Sequence, residues 1–151
     1  MQTAIAKENL QTKFDFVTLL IGVNNEFRQR DTGEYRNQFR ELLQKAINFA
    51  NGNLKHVFVI SIPDWGVTPF AKQDPHKRTQ EQISSEIDAF NKINLQEANM
   101  HEVNYIEITE DSREAKNDLL LLTSDELHPA GKMYFDWAKK LSEGILNVIR
   151  N

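Results

Sequence analysis

The sequence predicts an α/β fold, a three-layer sandwich in which a parallel sheet lies between helices. Three short apolar runs, at residues 14–22, 56–63 and 104–109, have the composition of strands. Amphipathic helical patterns separate these runs, and a third such pattern closes the chain. Alternation of strands and helices is typical of parallel sheets, because each helix carries the chain back across the sheet.

The three apolar runs differ in pattern. Phe14 to Gly22 is mostly continuous apolar sequence ended by glycine, which indicates a strand covered on both faces. His56 to Pro63 is rich in β-branched and aromatic residues and stops at a proline. Asn104 to Thr109 alternates apolar and polar positions, as a half-buried strand does.

The helical patterns have recognisable ends. Between Tyr35 and Ala50, apolar residues recur at spacings of three and four, and Asn51-Gly52-Asn53 follows as a helix stop. A second helix is predicted from near Gln80 to near Asn99. The last is predicted from about Ala130 to Ile149.

Composition narrows the function classes. The 151 residues fit one domain with a real core. With 18 basic and 22 acidic residues, and no basic run interleaved with aromatics, we expect no nucleic-acid partner. The absence of cysteine excludes thiol catalysis, and no histidine pairing suggests a metal site. No apolar stretch approaches the roughly 20 residues that span a bilayer.

The candidate chemistry lies where predicted strands end. Open α/β sheets place ligand sites outside the carboxyl ends of their strands. Gly22-Val23-Asn24-Asn25 follows the first strand, and a loop with Trp65 and Phe70 follows the second. Asp125-Glu126-Leu127-His128-Pro129 comes after the third strand and directly before the last helix.

An aspartate three residues before a histidine can form an acid and base pair. Pro129 disfavours a helical conformation at His128, so the pair is expected on a fixed loop. If Asp125 accepts the Nδ1–H of His128, Nε2 is left free as a base, as in serine hydrolysis. The alternative is a capping arrangement at the helix start. Asn24 has an alternative too, as a turn residue that ends a strand.

Two blocks together carry a resemblance to a known family. Gly22-Val23-Asn24-Asn25 resembles the G-x-N-D block of SGNH (GDSL-like) hydrolases, and Asp125-x-x-His128-Pro129 resembles their terminal D-x-x-H-P block. The resemblance implies a flavodoxin-like sheet and hydrolysis of an ester without a cofactor. It further implies that Asn24 donates to the oxyanion, that His128 is the general base and that Asp125 orients it.

The chain departs from the family pattern in two places. Asn25 stands where the family usually has aspartate, which removes a charge and keeps a hydrogen-bonding side chain. The G-D-S block with the nucleophilic serine, and the block with an oxyanion-hole glycine, are absent upstream of Asn24. We therefore expect one domain over residues 1–151 that lacks its first strand-helix-strand unit, with residues 1–11 as the remainder of a helix.

The chain has six serines, and none has the G-x-S-x-G setting that exposes a nucleophile. Ser61 falls in the final turn of the second strand, and Ser84 and Ser85 fall in a helix. Ser112 and Ser142 are predicted at the surface, and Ser124 adjoins the acid without a glycine elbow. The chain alone is therefore expected to be inactive.

The leading hypothesis is an ester hydrolase of the lipase/esterase, thioesterase or carbohydrate deacetylase class, with a small-molecule ester as substrate. Trp65 and Phe70 are expected either to line its acyl or alcohol pocket or to cover the end of the sheet. The alternative is a non-catalytic α/β binding module that has lost the chemistry. A flavin or nucleotide binder ranks last, since no glycine-rich phosphate loop follows a strand.

Two further expectations depend on how the chain is completed. An uncovered sheet edge would favour self-association or domain swapping. A chain that starts at Met1 is expected in the cytoplasm, because it has no signal peptide, whereas a longer parent chain could be exported.

Overall fold

A computed structural model of the chain describes Ile5, Lys7, Glu8 and residues 13–150. Ile5, Lys7 and Glu8 are helical. These three residues belong to the opening helix expected over residues 1–11, and the other residues of that range lie outside the described ones.

The described sheet has three parallel strands in sequence order, β1 (Val17–Leu19), β2 (Val57–Ile60) and β3 (Asn104–Ile106). Each strand falls within one of the predicted apolar runs, so the strand predictions are confirmed. The strands are shorter than the runs, and side chains bond to some of the backbone that follows them. At Ser61, for example, the hydroxyl accepts from the backbone N–H groups of Ile108 and Thr109.

Five helices lie in the continuous described segment, residues 13–150: α1 (Val23–Phe27), α2 (Thr32–Phe49), α3 (Gln80–Met100), α4 (Thr109–Arg113) and α5 (Gly131–Arg150). The three long helices confirm the predicted ones to within a few residues. Local caps fix two of their starts, because Asp31 accepts from the N–H of Glu34 and Thr79 forms a capping box with Gln82. Short 3₁₀ turns occupy much of the intervening loops.

The helices lie on both faces of the sheet, as the predicted three-layer sandwich requires. Helices α2 and α3 bury residues such as Phe39 and Ile87 in one cluster with Val57 and Val59 of β2. Helix α5 crosses the other face at Gly144. A Cβ there would lie 3.2 Å from a ring carbon of Phe58, so glycine permits this close approach.

One face of β1 is open. Phe14 and Leu20 are 42% and 37% exposed, and Thr18 between them is exposed as well. The expectation of a strand covered on both faces is therefore wrong for the described residues. The segment is apolar, as the sequence shows, but β1 is an edge strand, and among the described residues no strand pairs with its outer edge. Helix α5 likewise exposes Tyr134 and Phe135.

None of the described helices is long and apolar enough to cross a membrane.

A buried asparagine fixes the point where the chain leaves β2. The amide of Asn91 on α3 accepts from the N–H of Ile62 at 2.7 Å and donates to the carbonyl of the same residue at 2.9 Å. It also donates to the hydroxyl of Thr109 on α4. One side chain thus replaces the strand partner that Ile62 lacks and ties three elements together.

We expect Asn91→Ala to lower the free energy of unfolding by about 3 kcal/mol, because it leaves a buried N–H and a buried carbonyl without partners. Urea denaturation measures this loss. Asn99→Ala, at an exposed position of the same helix, is the matched control and should cost less than about 0.5 kcal/mol. Equal losses in the two variants would contradict the role given to Asn91.

Candidate active site

The carboxyl ends of the strands carry a cavity of about 360 Å³. Asn24 of α1, Trp65 and Phe70 of the loop after β2, and His128 of the loop before α5 all line it. Side chains predicted from three separate stretches of sequence therefore meet at one site. Asp125 stands behind His128, outside the lining of the cavity.

Asp125 holds His128 through both carboxylate oxygens. Oδ2 lies 2.6 Å from Nδ1 of His128, and Oδ1 accepts from the N–H groups of Leu127 and His128. The hydroxyl of Thr123 donates to Oδ1 at 2.6 Å and, together with these bonds, holds the pKa of Asp125 well below its usual range. An ionised Asp125 accepts the Nδ1–H, which leaves Nε2 of the imidazole as an acceptor.

The loop that carries this pair is pinned at its base. The N–H of Thr123 donates to the carbonyl of His128 at 2.8 Å, and the N–H of Ala130 donates to that of Leu121 at 2.7 Å. Between them, Glu126 adopts a left-handed conformation with φ of 58°. The imidazole is thereby held in place although the side chain of His128 is 69% exposed.

Asn24 depends on the glycine two residues before it. Gly22 has φ of 124°, and a Cβ there would lie 2.5 Å from both Cδ1 of Ile62 and the hydroxyl of Tyr35. Only glycine combines this conformation with this approach. Asn25, the departure from the family block, donates to Oε1 of Gln38 at 3.0 Å and so anchors α1 to α2 without a charge.

Trp65 and Phe70 line the cavity. Trp65 is also buried at the end of the sheet, so lining a pocket and covering the sheet end are compatible roles for it. The rings of Phe27 and Phe70 lie 5.5 and 6.4 Å from that of Trp65, centroid to centroid. The N–H of Phe70 donates to the carbonyl of Glu126 and joins this loop to the histidine loop.

Three further polar side chains of the cavity, those of Asp64, Thr68 and Ser112, are already paired. Asp64 binds the guanidinium of Arg113 at 2.9 Å and accepts from the N–H of Gly66. Thr68 donates to the carbonyl of Trp65. Ser112 donates to the carbonyl of Thr109 and accepts from the N–H of Asp64.

The surface position predicted for Ser112 is wrong, because this side chain is only 3% exposed. Its sequence neighbours Asp111 and Arg113 are charged and only partly buried, whereas Ser112 faces inward. Ser61 is buried as well, and its hydroxyl accepts from the N–H of Ile108, which follows β3, and from the hydroxyl of Thr109 on α4. Of the six serines, Ser112 alone lines the cavity.

A buried carboxylate lies behind the cavity wall and was not found from the sequence. Glu26 on α1 is 1% exposed. The indole N–H of Trp65 donates to its Oε2 at 2.7 Å, and Arg78 donates to its Oε1. Burial raises the pKa of Glu26 to about 7, despite the opposing effect of these two donors. A lone glutamate in a polar stretch gives no sequence signal of such burial.

No group of three His, Asp or Glu side chains suited to a metal ion occurs among the residues that the structure describes.

The family model of GDSL-like lipases and acylhydrolases matches residues 2–134. The chain belongs to this family. The blocks around Asn24 and around Asp125 and His128 both lie within the match. No curated protein sequence matches the chain with significance.

Solved structures of GDSL-like and related hydrolases have the same fold. An acetylxylan esterase from Geobacillus stearothermophilus superposes with a TM-score of 0.62 at 20% identity, over 97% of this chain and 65% of its own. A lipolytic protein of the G-D-S-L family from Veillonella parvula gives 0.62 at 19% identity, over 95% and 71%. An alpha/beta hydrolase from a Lake Arreo metagenome gives 0.63 at 15%, over 96% and 64%. The chain thus spans about two thirds of their length.

We expect Gly22→Ala to lower the free energy of unfolding by about 3 kcal/mol, through backbone strain and the overlap with Ile62 and Tyr35. Gly52→Ala is the matched control. Gly52 also has a positive φ, of 79°, but a Cβ there meets no atom of the described residues within 4 Å. Thermal unfolding should show a loss of only about 1 kcal/mol for the control. A similar loss in both variants would contradict the close packing at Gly22.

We expect the stability of the chain relative to Glu26→Gln to depend on pH. A raised folded-state pKa stabilises the protein at low pH, and this contribution is lost as the pH rises through about 7. The free energy of unfolding of the native chain, minus that of the variant, should fall by about 2 kcal/mol between about pH 5.5 and about pH 7.5.

Glu97→Gln is the control for this experiment. Glu97 is equally buried, but Arg40 and Arg36 lower its pKa, so it stays ionised throughout this range. Its difference from the native chain should not change with pH. A flat difference for Glu26→Gln as well, in urea titrations, would contradict the raised pKa.

Proposed function

We propose that this chain supplies the acid, the base and an oxyanion donor of an ester hydrolase that works through a Ser-His-Asp triad. The observation that carries the proposal is the 2.6 Å contact from Oδ2 of Asp125 to Nδ1 of His128, at a cavity also lined by Asn24. Membership of the GDSL-like family supports it.

The proposed roles follow from this geometry. Nε2 of His128 takes the proton of the serine hydroxyl while the serine oxygen bonds to the ester carbonyl carbon. The imidazolium then gives that proton to the departing alcohol. Asp125 stabilises the imidazolium that forms in between. The amide of Asn24 donates to the oxyanion. Water then repeats the sequence on the acyl-enzyme, and the acid is released.

The serine is proposed to come from a segment outside this chain. Ser112, the serine in the cavity lining, already both donates and accepts hydrogen bonds and is buried. In the acetylxylan esterase from Geobacillus stearothermophilus, two catalytic mutants replace a serine and an aspartate. About a third of that protein's chain lies outside the part matched here.

The cavity favours an apolar group of the ester over a carbohydrate. Its wall includes Phe27, Leu127 and Trp137 in addition to Trp65. Asp64, Thr68 and Ser112 all have partners within the chain, as described above, and offer little to the hydroxyl groups of a sugar. Among the ester classes considered, we therefore favour a lipase/esterase or thioesterase over a carbohydrate deacetylase.

We expect the chain alone to hydrolyse p-nitrophenyl butyrate no faster than free imidazole at the same concentration. Only a small part of triad catalysis remains without a nucleophile. The release of p-nitrophenolate, followed by absorbance, measures this. Robust turnover that His128→Ala abolishes would contradict the proposal that the serine lies elsewhere.

Reading the coding sequence upstream of Met1 tests the enzyme against the binding module. An in-frame Gly-Asp-Ser after an apolar strand supports the enzyme. In that extended chain Asn24→Ala should lower kcat about 100- to 1000-fold. The control variant Asn99→Ala, at an exposed position, should leave kcat unchanged. Absence of the serine block would favour the binding module.

A further inference from the structure

We propose that Glu26 is a positioning residue, which holds the indole of Trp65 and the helix carrying Asn24 in the relative positions that shape the cavity. The inference rests on the proposed function, since it takes this cavity as the place of the substrate.

Glu26 and Asn24 belong to the same short helix, α1. The two residues lie two positions apart on α1, whose first turn is closed by the bond from the N–H of Glu26 to the carbonyl of Gly22. While the side chain of Asn24 is exposed at the cavity, that of Glu26 points into the protein. The bonds of the Glu26 carboxylate therefore tie the helix that carries Asn24 to the interior of the protein.

The same carboxylate fixes Trp65 in the opposite wall. Its Oε2 accepts the indole N–H at 2.7 Å. The guanidinium of Arg78, bound to Oε1 of Glu26, lies over the indole ring at 5.4 Å from its centroid. Phe27 packs against another part of the ring. Trp65 is thus held by a directional bond, a cation and an aromatic contact, all arranged around Glu26.

The charges around Glu26 make this clamp sensitive to protonation. Arg78 also binds Asp74 and Glu86, so one guanidinium serves three carboxylates. When Glu26 takes up a proton, one of its oxygens becomes a hydroxyl, which is a poorer acceptor. Either Trp65 or Arg78 then has a weaker partner. Of the remaining titratable groups, His76 lies against Phe27, at 6.1 Å between ring centroids.

The two tryptophans of the chain allow a direct test by NMR. The indole N–H of Trp65 bonds to Glu26, whereas that of Trp137 is buried and has no hydrogen-bond partner among the residues that the structure describes. In the native chain the Trp65 indole resonance should titrate with a midpoint near pH 7. His76→Asn and His128→Asn should retain that titration. Glu26→Gln should abolish it, and Glu97→Gln, the matched buried glutamate, should keep it.

Ligand binding tests the consequence for the cavity. Hexanamide is a suitable probe, because it has an ester-like carbonyl and an alkyl chain and carries no charge that changes with pH. Titrated into the native chain, it should shift the resonances of Trp65 and His128. Glu26→Gln should weaken its binding about fivefold, the effect of about one lost hydrogen bond, and Glu97→Gln less than about twofold.

An indole resonance of Trp65 that does not titrate, or that titrates equally in Glu26→Gln, would overturn the inference. The titration of the native chain decides this even if the variant fails to fold. Equal affinity for hexanamide in the native chain and in Glu26→Gln would also overturn it. If hexanamide shifts neither Trp65 nor His128 in the native chain, the proposed substrate cavity is wrong, and the inference is overturned with it.

Discussion

The constraint on which this structure most depends is that the backbone leaving the sheet must find hydrogen-bond partners other than a strand. Side chains supply many of them, both after strand ends and in the loop before α5. Asn91 serves both backbone groups of Ile62, Ser61 serves the start of α4, and Asp125 serves two N–H groups of its own loop. Short strands are therefore compatible with well-fixed loops, and the site lies on those loops.

Buried carboxylates, each paired with an arginine, also hold the elements of the structure together. Glu97 joins α3 to Arg36 and Arg40 of α2, and Asp64 joins the loop after β2 to Arg113. Buried ion pairs give little net stability, because desolvation offsets the attraction, but breaking one leaves an uncompensated charge. Their main effect is thus to select one relative arrangement of the elements. At Glu26 the selected arrangement includes a wall of the cavity.

Much of the fold could be predicted from the sequence because its signals are local. The strand runs at Val57 and Asn104, and the long helices, have the periodicity and end residues that backbone geometry demands. Helices α1 and α4 have five residues each, too few for a periodic pattern. The open face of β1 was not predicted either, since apolar composition is the same whether or not a neighbour covers it.

The candidate site also has a part that could be predicted from the sequence and a part that could not. Asn24, Asp125 and His128 belong to short blocks whose spacing is visible in the sequence, and the structure brings Asn24 and His128 to one cavity. The contact between Glu26 and Arg78 spans 52 positions and has no such pattern. Contacts of this kind depend on the tertiary packing of several loops, which no local rule specifies.

The open edge of β1 has a thermodynamic consequence for any enzyme that contains this chain. A unit whose strand pairs with that edge and brings the serine, and whose helix packs on the open face, would also cover Phe14 and Leu20. The free energy of that docking would then both stabilise the sheet and assemble the triad. Folding and catalytic competence would be linked equilibria, so that a substitution at Phe14, outside the cavity that His128 lines, could change activity by changing the population of the docked state.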